Sequence, residues 1–404
     1  MGEKRLKVLH VIPSVYLGHG GPSYAICVIE TALTEAGVEV ETATSDDDGV
    51  GQRNGKAGLI EYSETGVRRH YFRKVIEFYK IAPKFAVWAL GAITRYDVVH
   101  IHALFSFTTL AAAFAAKVRG VPYVVRPLGT LSKYGISKRR PLLKRLSLRF
   151  IEGPILSNAA AVHFTSESER LQAELLGIAM RGVVIPLAVE TPPVVSPDAF
   201  YALAPELLGR EYALYLSRLD PKKNVEGLLR AFALVLLQFP DLRLAVAGSG
   251  EPEYVERLRQ LATEIGVQQS VVWLGQVEGE VKAGALRSAK LFVLPSFSEN
   301  FGIAAAEALA AGLPCVLGAG VALADDMKAA GAGEVVSTDP TEIAAAFIRL
   351  LSNDAYRAAC GANAAKLARE RFSPDEMGRR LVALYREIQS KSVSGESTKP
   401  RGLT

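Results

Sequence analysis

A chain of 404 residues is longer than one hydrophobic core comfortably serves, so two domains are expected. About half the residues are apolar and 22% are charged, the balance of a globular α/β protein, and a net charge of +5 is too mild to announce a polyanionic partner. Cys27, Cys315 and Cys360 stand apart with no C-x-x-C spacing, which excludes a disulfide framework or zinc motif and suits a reducing compartment. The apolar run Val8–Val11 is far shorter than a signal-peptide core, and no window reaches the ~18 to 20 apolar residues of a membrane span. The protein is therefore expected in the cytoplasm.

Lys7–Ile12 reads as a buried strand, and Pro13–Gly21 as a loop ending in Gly18-His19-Gly20-Gly21. Pro22 suits the first turn of a helix reaching about Ala36. Strand, glycine loop and helix start could cradle a phosphate, but the third glycine of G-x-G-x-x-G would fall on Ser23, which argues against a nicotinamide or flavin cofactor. Val38–Ala43 is a second strand. Asp46–Gly58 reads as a mobile charged loop, with Asp46-Asp47-Asp48 a solvated turn, not a metal-holding D-x-D. The aromatic residues of Tyr71–Leu90 read as helix packing.

Asp97–Ile101 is the next strand. His100 lies within it as a core residue, and His102 lies at its carboxyl edge, where open α/β sheets place ligands. There His102 could bond a substrate oxygen or relay a proton, the alternative being a structural role. Tyr123–Pro127 is a further strand, leading into Leu128-Gly129-Thr130. Lys133–Phe150 is the most basic segment, its lysines and arginines interleaved with Leu142, Leu143, Leu146, Leu148 and Phe150. Such a helix can lie on an anionic membrane; the simpler alternative is a solvated face with its apolar side on the sheet. Nothing resembles a nucleic-acid-binding module, so no nucleic acid is expected. Ala159–Thr165 is a strand with His163 in the core, Ser166–Glu169 starts a helix, and Val183–Pro186 is the last strand of this half.

Glu190–Gly209, rich in proline, reads as a connection between domains, after which strand–helix alternation restarts at Tyr212–Leu216. The pattern predicts two doubly wound halves, each with a parallel sheet. Arg218 and Lys223 stand at a strand end and a helix entry, with Pro221 fixing the turn between them. Two such cations can neutralise a diphosphate in place of a metal, while Lys222 faces solvent. Leu242–Ala247 runs into Gly248-Ser249-Gly250, and Val271–Leu274 into Gly275-Gln276-Val277. The buried run Leu291–Leu294 precedes a polar turn and an alanine-rich helix that stops at Gly312 and Pro314. Small residues let that helix start close to the strand end, where its free N–H groups suit a phosphate. Glu299 and Glu307 would be repelled by a phosphate and more plausibly accept hydrogen bonds from sugar hydroxyls. A phosphate flanked by hydroxyl-rich groups describes a sugar nucleotide. Helices follow over Thr341–Leu351 and Ala355–Phe372, another restarts at Ser373, and Ser390–Thr404 is too poor in apolar residues to fold.

The stretch Ser298–Pro314, S-E-x-F-G-x4-E-A-x-A-x-G-x-P, resembles the E-x7-E signature of the family-four retaining glycosyltransferases (glycosyl transferases group 1), which have the GT-B fold. Arg218–Asn224 resembles that family's R-L-x-P-x-K-[GN] motif, and Asp97–His102 its D-V-x-H-x-H pattern. The likeness covers essentially the whole chain. It implies two Rossmann-like, doubly wound parallel-sheet domains facing a central cleft: 1–190 on the acceptor side, a linker over 191–210, a donor-nucleotide domain over 211–372, a helix over 373–389 returning to the first domain, and a disordered tail over 390–404.

The resemblance further implies transfer of a sugar from a UDP- or GDP-sugar to a hydroxyl of a glycan or lipid-linked acceptor, with no metal or cofactor. It places His102 near the reacting sugar, Arg218 and Lys223 on the pyrophosphate, Glu299 on the donor ring and Glu307 on the ribose. Backbone at Gly20, Gly21, Gly248, Gly250, Asn300, Phe301, Gly302 and Ile303 would approach the donor, and Gly275 and Val277 would grip its base. Arg126 and Gly129, in an R-P-x-G loop, would lie on the acceptor side. The chain departs from the family's I-P-N-G-V with Ile185-Pro186-Leu187-Ala188-Val189, which changes the turn before the linker. A sugar-nucleotide epimerase on the same fold and a non-catalytic sugar-nucleotide-binding protein are the alternatives.

Overall fold

The computed structural model describes residues 5–16, 18, 21–132, 136 and 141–394. The chain forms two compact units: the first runs to Ala188 and resumes at Pro374, and the second is Val189–Ser373.

The first unit is built on an eight-stranded sheet of β1 (Lys7–Val11), β2 (Glu39–Ser45), β3 (Ile60–Tyr62), β4 (Arg68–Phe72), β5 (Val98–His102), β6 (Tyr123–Arg126), β7 (Ala161–Phe164) and β8 (Gly182–Val184), in the order β3-β4-β2-β1-β5-β6-β7-β8. All neighbours are parallel except β3 and β4. β5 is buried along its whole length, which is why it reads as an unbroken apolar run apart from its histidines. Helices Pro83–Ala92 and Phe107–Arg119 cover one face, through Phe85, Ala89, Ala112 and Ala116. The other face is covered by Gly21–Glu35, through Ile29 and Leu33, and by the last helix, Pro374–Ser394, through Leu381, Leu384, Tyr385 and Ile388. Gly378 lets these two helices meet closely: a Cβ there would lie 2.8 Å from the Ala32 carbonyl oxygen.

The second unit carries a six-stranded, all-parallel sheet of β9 (Tyr212–Leu216), β10 (Arg243–Ala247), β11 (Val271–Gly275), β12 (Leu291–Leu294), β13 (Cys315–Gly318) and β14 (Gly333–Val336), in the order β11-β10-β9-β12-β13-β14. Each sheet reverses its winding once, between β1 and β5 and between β9 and β12. Ligands in open α/β sheets bind beyond the carboxyl ends of the strands at such points.

Several expectations are corrected. Asp46 and Asp47 are buried, not solvated: the Asp47 carboxylate takes ion pairs from Lys74 and Lys80, and Asp46 accepts the Lys74 N–H at 2.7 Å. Tyr71 and Phe72 belong to β4, Phe78–Lys80 form a 3-10 turn, and the α-helix begins at Pro83, where Phe85 and Trp88 pack on Phe72 at 5.3 and 5.1 Å. The proline-rich connection is folded into the second unit: helix Asp198–Leu203 buries Phe200 against Tyr212, their rings 5.6 Å apart. In the basic segment, helix Pro141–Ser147 runs into a π-turn at Leu148–Glu152; Leu142, Leu143, Leu146 and Phe150 are exposed, and of the five apolar residues named there only Leu148 packs against the core. Its stretches 133–135 and 137–140 lie outside the described residues. The last helix continues through Ser394, beyond the point at which disorder is predicted, and 395–404 lie outside the described residues. Among the described residues no helix is long and apolar enough to cross a membrane.

Candidate active site

In the second unit, the loops leaving β9 and β12 meet at the switch point. After β9, Tyr215 Oη donates to the Arg218 carbonyl at 3.0 Å, and Asp220 Oδ1 accepts the Lys222 N–H at 2.9 Å, winding Pro221–Lys223 into a single 3-10 turn. That turn carries Lys223 inward, where its Nζ pairs with the Glu299 carboxylate. Ser296 Oγ also donates to Glu299, at 3.2 Å. Lys222 is half-buried, its carbonyl accepting the Phe297 N–H at 3.0 Å. Arg218 is exposed and forms no ion pair among the described residues.

The turn bearing Glu299 is fixed by backbone. Its N–H donates to the Gly320 carbonyl at 2.8 Å, and its carbonyl accepts the Ala322 N–H at 3.2 Å. A Cβ at Gly320 would lie 2.1 Å from the Phe297 carbonyl oxygen, so only glycine permits this approach. Asn300 is exposed and Phe301 is buried against Phe372 at 5.6 Å. Gly302, at φ +95°, turns the chain into helix Ile303–Ala310, whose N-terminus has no side-chain cap. Its first-turn N–H groups are thus left for a ligand. Glu307, one turn on, is buried and accepts a hydrogen bond from Lys282 Nζ at 2.8 Å.

Gly248 and Gly250 are explained by packing. Their Cβ atoms would lie 1.8 Å from the Ser217 and 2.2 Å from the Leu219 carbonyl oxygens, so the β10 exit loop presses on the Arg218 loop. Gly248 N–H donates to the Gly275 carbonyl at 2.6 Å, which ties in the third exit loop, with Gly275 at φ +66° and Val277 buried.

In the first unit, strands β1, β5 and β7 hold a buried group of histidines: His10, His100, His102 and His163. The hydrogen-bond pattern assigns the tautomers of two of them: Tyr385 O–H donates to His100 Nδ1 at 2.7 Å, His100 Nε2–H faces His163 Nδ1 at 3.4 Å, and His163 Nε2–H donates to the Ile185 carbonyl at 2.8 Å. His102 is fully buried as the last residue of β5, opposite Arg126 in register, and its Nε2 lies 2.7 Å from His10 Nδ1. Sequence reasoning puts His102 at an open edge; instead the strand runs one residue further and turns the ring onto β1. Burial, with the charge of Arg126 beside them, holds His10 and His163 neutral, down to about 3, and burial pushes His100 and His102 well below the usual histidine range. His10, His100 and His102 could each offer a ring nitrogen to a metal, these atoms lying within 4.8 Å of one another. Arg126 next to them and the engaged nitrogens of His100 oppose a dication there.

Arg126 is buried at the end of β6, and Gly129 follows at φ +72°, its N–H donating to Glu169 Oε1 at 2.7 Å. Glu169 Oε2 accepts from the Thr165 N–H and hydroxyl at 2.8 and 2.9 Å. Gly21 opens helix Gly21–Glu35, and Gly20 lies outside the described residues. Sequence reasoning misses Lys282, His10 and Glu169. Nothing local marks the first two, and Glu169 reads only as a helix first-turn acid.

Residues 20–188 match the family described as the glycosyl transferase 4-like domain, and residues 205–367 match glycosyl transferases group 1. The chain belongs to the group 1 glycosyl transferases. The match to the second of these descriptions spans both β9–Lys223 and the Glu299–Glu307 helix. Among relatives of this chain, the D-inositol 3-phosphate glycosyltransferase of a Nocardioides species is 35% identical over 192 residues, 44% of this chain and 42% of that protein. The phosphatidyl-myo-inositol mannosyltransferase of Mycobacterium leprae is 33% identical over 208 residues, 50% of this chain and 54% of that protein. The chain spans about half the length of the curated relatives it matches. Anabaena HepE, solved in complex with UDP and glucose, superposes with a TM-score of 0.74 at 19% identity, covering 95% of this chain and 100% of that one. That likeness shows the fold: GT-B, with two Rossmann-like parallel-sheet domains.

Proposed function

We propose that this glycosyltransferase moves a sugar from a UDP- or GDP-sugar to an acceptor hydroxyl with retention of anomeric configuration, in the assembly of a polysaccharide, glycolipid or lipid-linked glycan. The observation that carries this reading is the Lys223–Glu299 pair at the β9/β12 switch point, beside a helix start with no side-chain cap. As the glycosidic C–O bond breaks, negative charge grows on the diphosphate and positive charge on the sugar. Lys223, Arg218 and the N–H groups at Ile303 and beyond stabilise the diphosphate where charge develops. The departing phosphate oxygen takes the acceptor's proton, and the acceptor oxygen bonds to the anomeric carbon on that same face. Drawn off by the phosphate, Lys223 releases Glu299 to accept hydrogen bonds from sugar hydroxyls. Glu307, with one oxygen on Lys282, offers the other to the ribose.

Arg218 and Lys223 fill the place of a metal in this scheme, so turnover is expected to persist in EDTA. HepE's complex with UDP and glucose supports testing UDP-glucose among the first donors, and the inositol-named relatives support inositol phosphates among the first acceptors. The test is incubation of purified protein with a donor and an acceptor panel, with the product read by NMR. A product of the donor's own anomeric configuration is expected. An inverted product, or conversion of the donor without any acceptor, overturns the proposal.

A further inference from the structure

We propose that Arg126 is the floor of an oxyanion subsite in the first unit, built to take a phosphate or carboxylate group carried by the acceptor. Arg126 is only 2% exposed, yet its Nε and Nη1 have no hydrogen-bond partner among the described residues. A buried guanidinium whose N–H groups meet no carboxylate directly is a costly arrangement, and arginine's planar fork is shaped for oxyanions. Glu169, the carboxylate that acts on it through space, spends its oxygens on Gly129 and Thr165. Among the described residues no other carboxylate acts on Arg126.

Two neighbours leave polar atoms open as well. Among the described residues, His102, opposite Arg126 in register, has an unpartnered Nδ1, and His10 an unpartnered Nε2, both rings fully buried. Their other nitrogens share one hydrogen bond, so with both rings neutral one of the open nitrogens carries a proton and the other a lone pair, whichever tautomers are present. Beside an anion on Arg126, the group can therefore donate one hydrogen bond and accept one, which fits a hydroxyl next to the charged group. These residues lie at the β1/β5 switch point, and the non-glycine residues that follow β5 and β6 there hold left-handed backbone: Ala103 at φ +84°, Phe105 at +56° and Leu128 at +57°. Such strain persists where surrounding structure holds a site in shape. The ligand class is an anionic polyol. That the polyol is the acceptor rests on the sugar-transfer reading.

The experiment uses the full chain in phosphate-free buffer, titrated separately with inorganic phosphate, succinate and UDP at constant ionic strength. Thermal midpoints and the imidazole 15N signals of His10 and His102 are read. Phosphate or succinate is expected to raise the midpoint and shift both signals, and whichever acts more strongly assigns the group. Arg126→Met should lose that response and keep the response to UDP, and Arg218→Ala should show the reverse. If Arg126→Met does not fold, Arg126→Lys should weaken the anion response at least tenfold. An unchanged response in the Arg126 variant, unmoved histidine signals, or no response to either anion overturns the proposal. The UDP response of the unaltered protein tests the donor reading separately.

Discussion

At the residue scale, both acids of the signature are held by lysines, Glu299 by Lys223 and Glu307 by Lys282. The pairing explains how two carboxylates can stand beside an anion site without raising its charge. Replacing Arg218 or Lys223 by alanine is expected to lower kcat by ~10²–10³-fold, the loss typical of one oxyanion donor, with folding retained. Wild-type rates in both variants would remove the mechanism. Lys282→Met, by contrast, should weaken UDP binding about tenfold, ~1.4 kcal/mol, with a smaller effect on kcat, and Lys282→Arg should restore it. The histidines make a prediction about pH. Their folded pKa values lie below the unfolded value near 6.5, two of them at about 3, so the unfolded chain binds more protons below pH ~6.5. Stability is then full above that pH and falls as pH drops toward 3, by up to about 1.4 kcal/mol per pH unit for each histidine. Denaturant midpoints between pH 7 and 5 check this, and a flat profile would contradict the buried neutral cluster.

Elements place these residues through their exit loops. Gly248 is held at φ +144° with its neighbour's carbonyl where a Cβ would go, whereas Gly37, at φ +81°, has open space around it. Gly248→Ala should therefore lower the thermal midpoint and abolish UDP binding, while Gly37→Ala should cost only about 1 kcal/mol and leave UDP binding intact. The helix Pro141–Ser147 and the π-turn after it expose Leu142, Leu146 and Phe150 beside Arg145 and Arg149. Apolar side chains flanked by bases suit an anionic bilayer surface. Co-sedimentation with phosphatidylglycerol vesicles, weakened by salt and by Leu142→Glu with Leu146→Glu, is the expected result. Equal binding to phosphatidylcholine vesicles would contradict it.

For the whole molecule, the last helix is a structural part of the first unit. Leu381, Leu384 and Ile388 together contribute roughly 5–9 kcal/mol by burial, comparable to the ~5–15 kcal/mol that keeps a domain folded. A chain ending at Ser373 should therefore be insoluble or unfolded, as judged by circular dichroism and yield. The strand–helix alternation, the glycine turns and the order of the motifs were legible because each depends on residues a few positions apart: a continuous apolar run such as Leu291–Leu294 is a strand buried on both faces wherever it occurs. The burial of Asp47 by Lys74 and Lys80 was not legible, since a three-aspartate run looks the same in water as in an ion-pair network.

Sequence alone determined the fold class, the two halves and the residue types gathered near the second sheet's switch point. Tertiary structure decided which polar group meets which: Lys223 with Glu299 across 76 positions, His10 with His102 across 92, and Arg126 with its Nε and Nη1 unpartnered among the described residues. The reason is the winding of the sheets. Parallel strands joined by crossovers bring together loop ends far apart in the chain, and strand order, which no local pattern encodes, selects the neighbours.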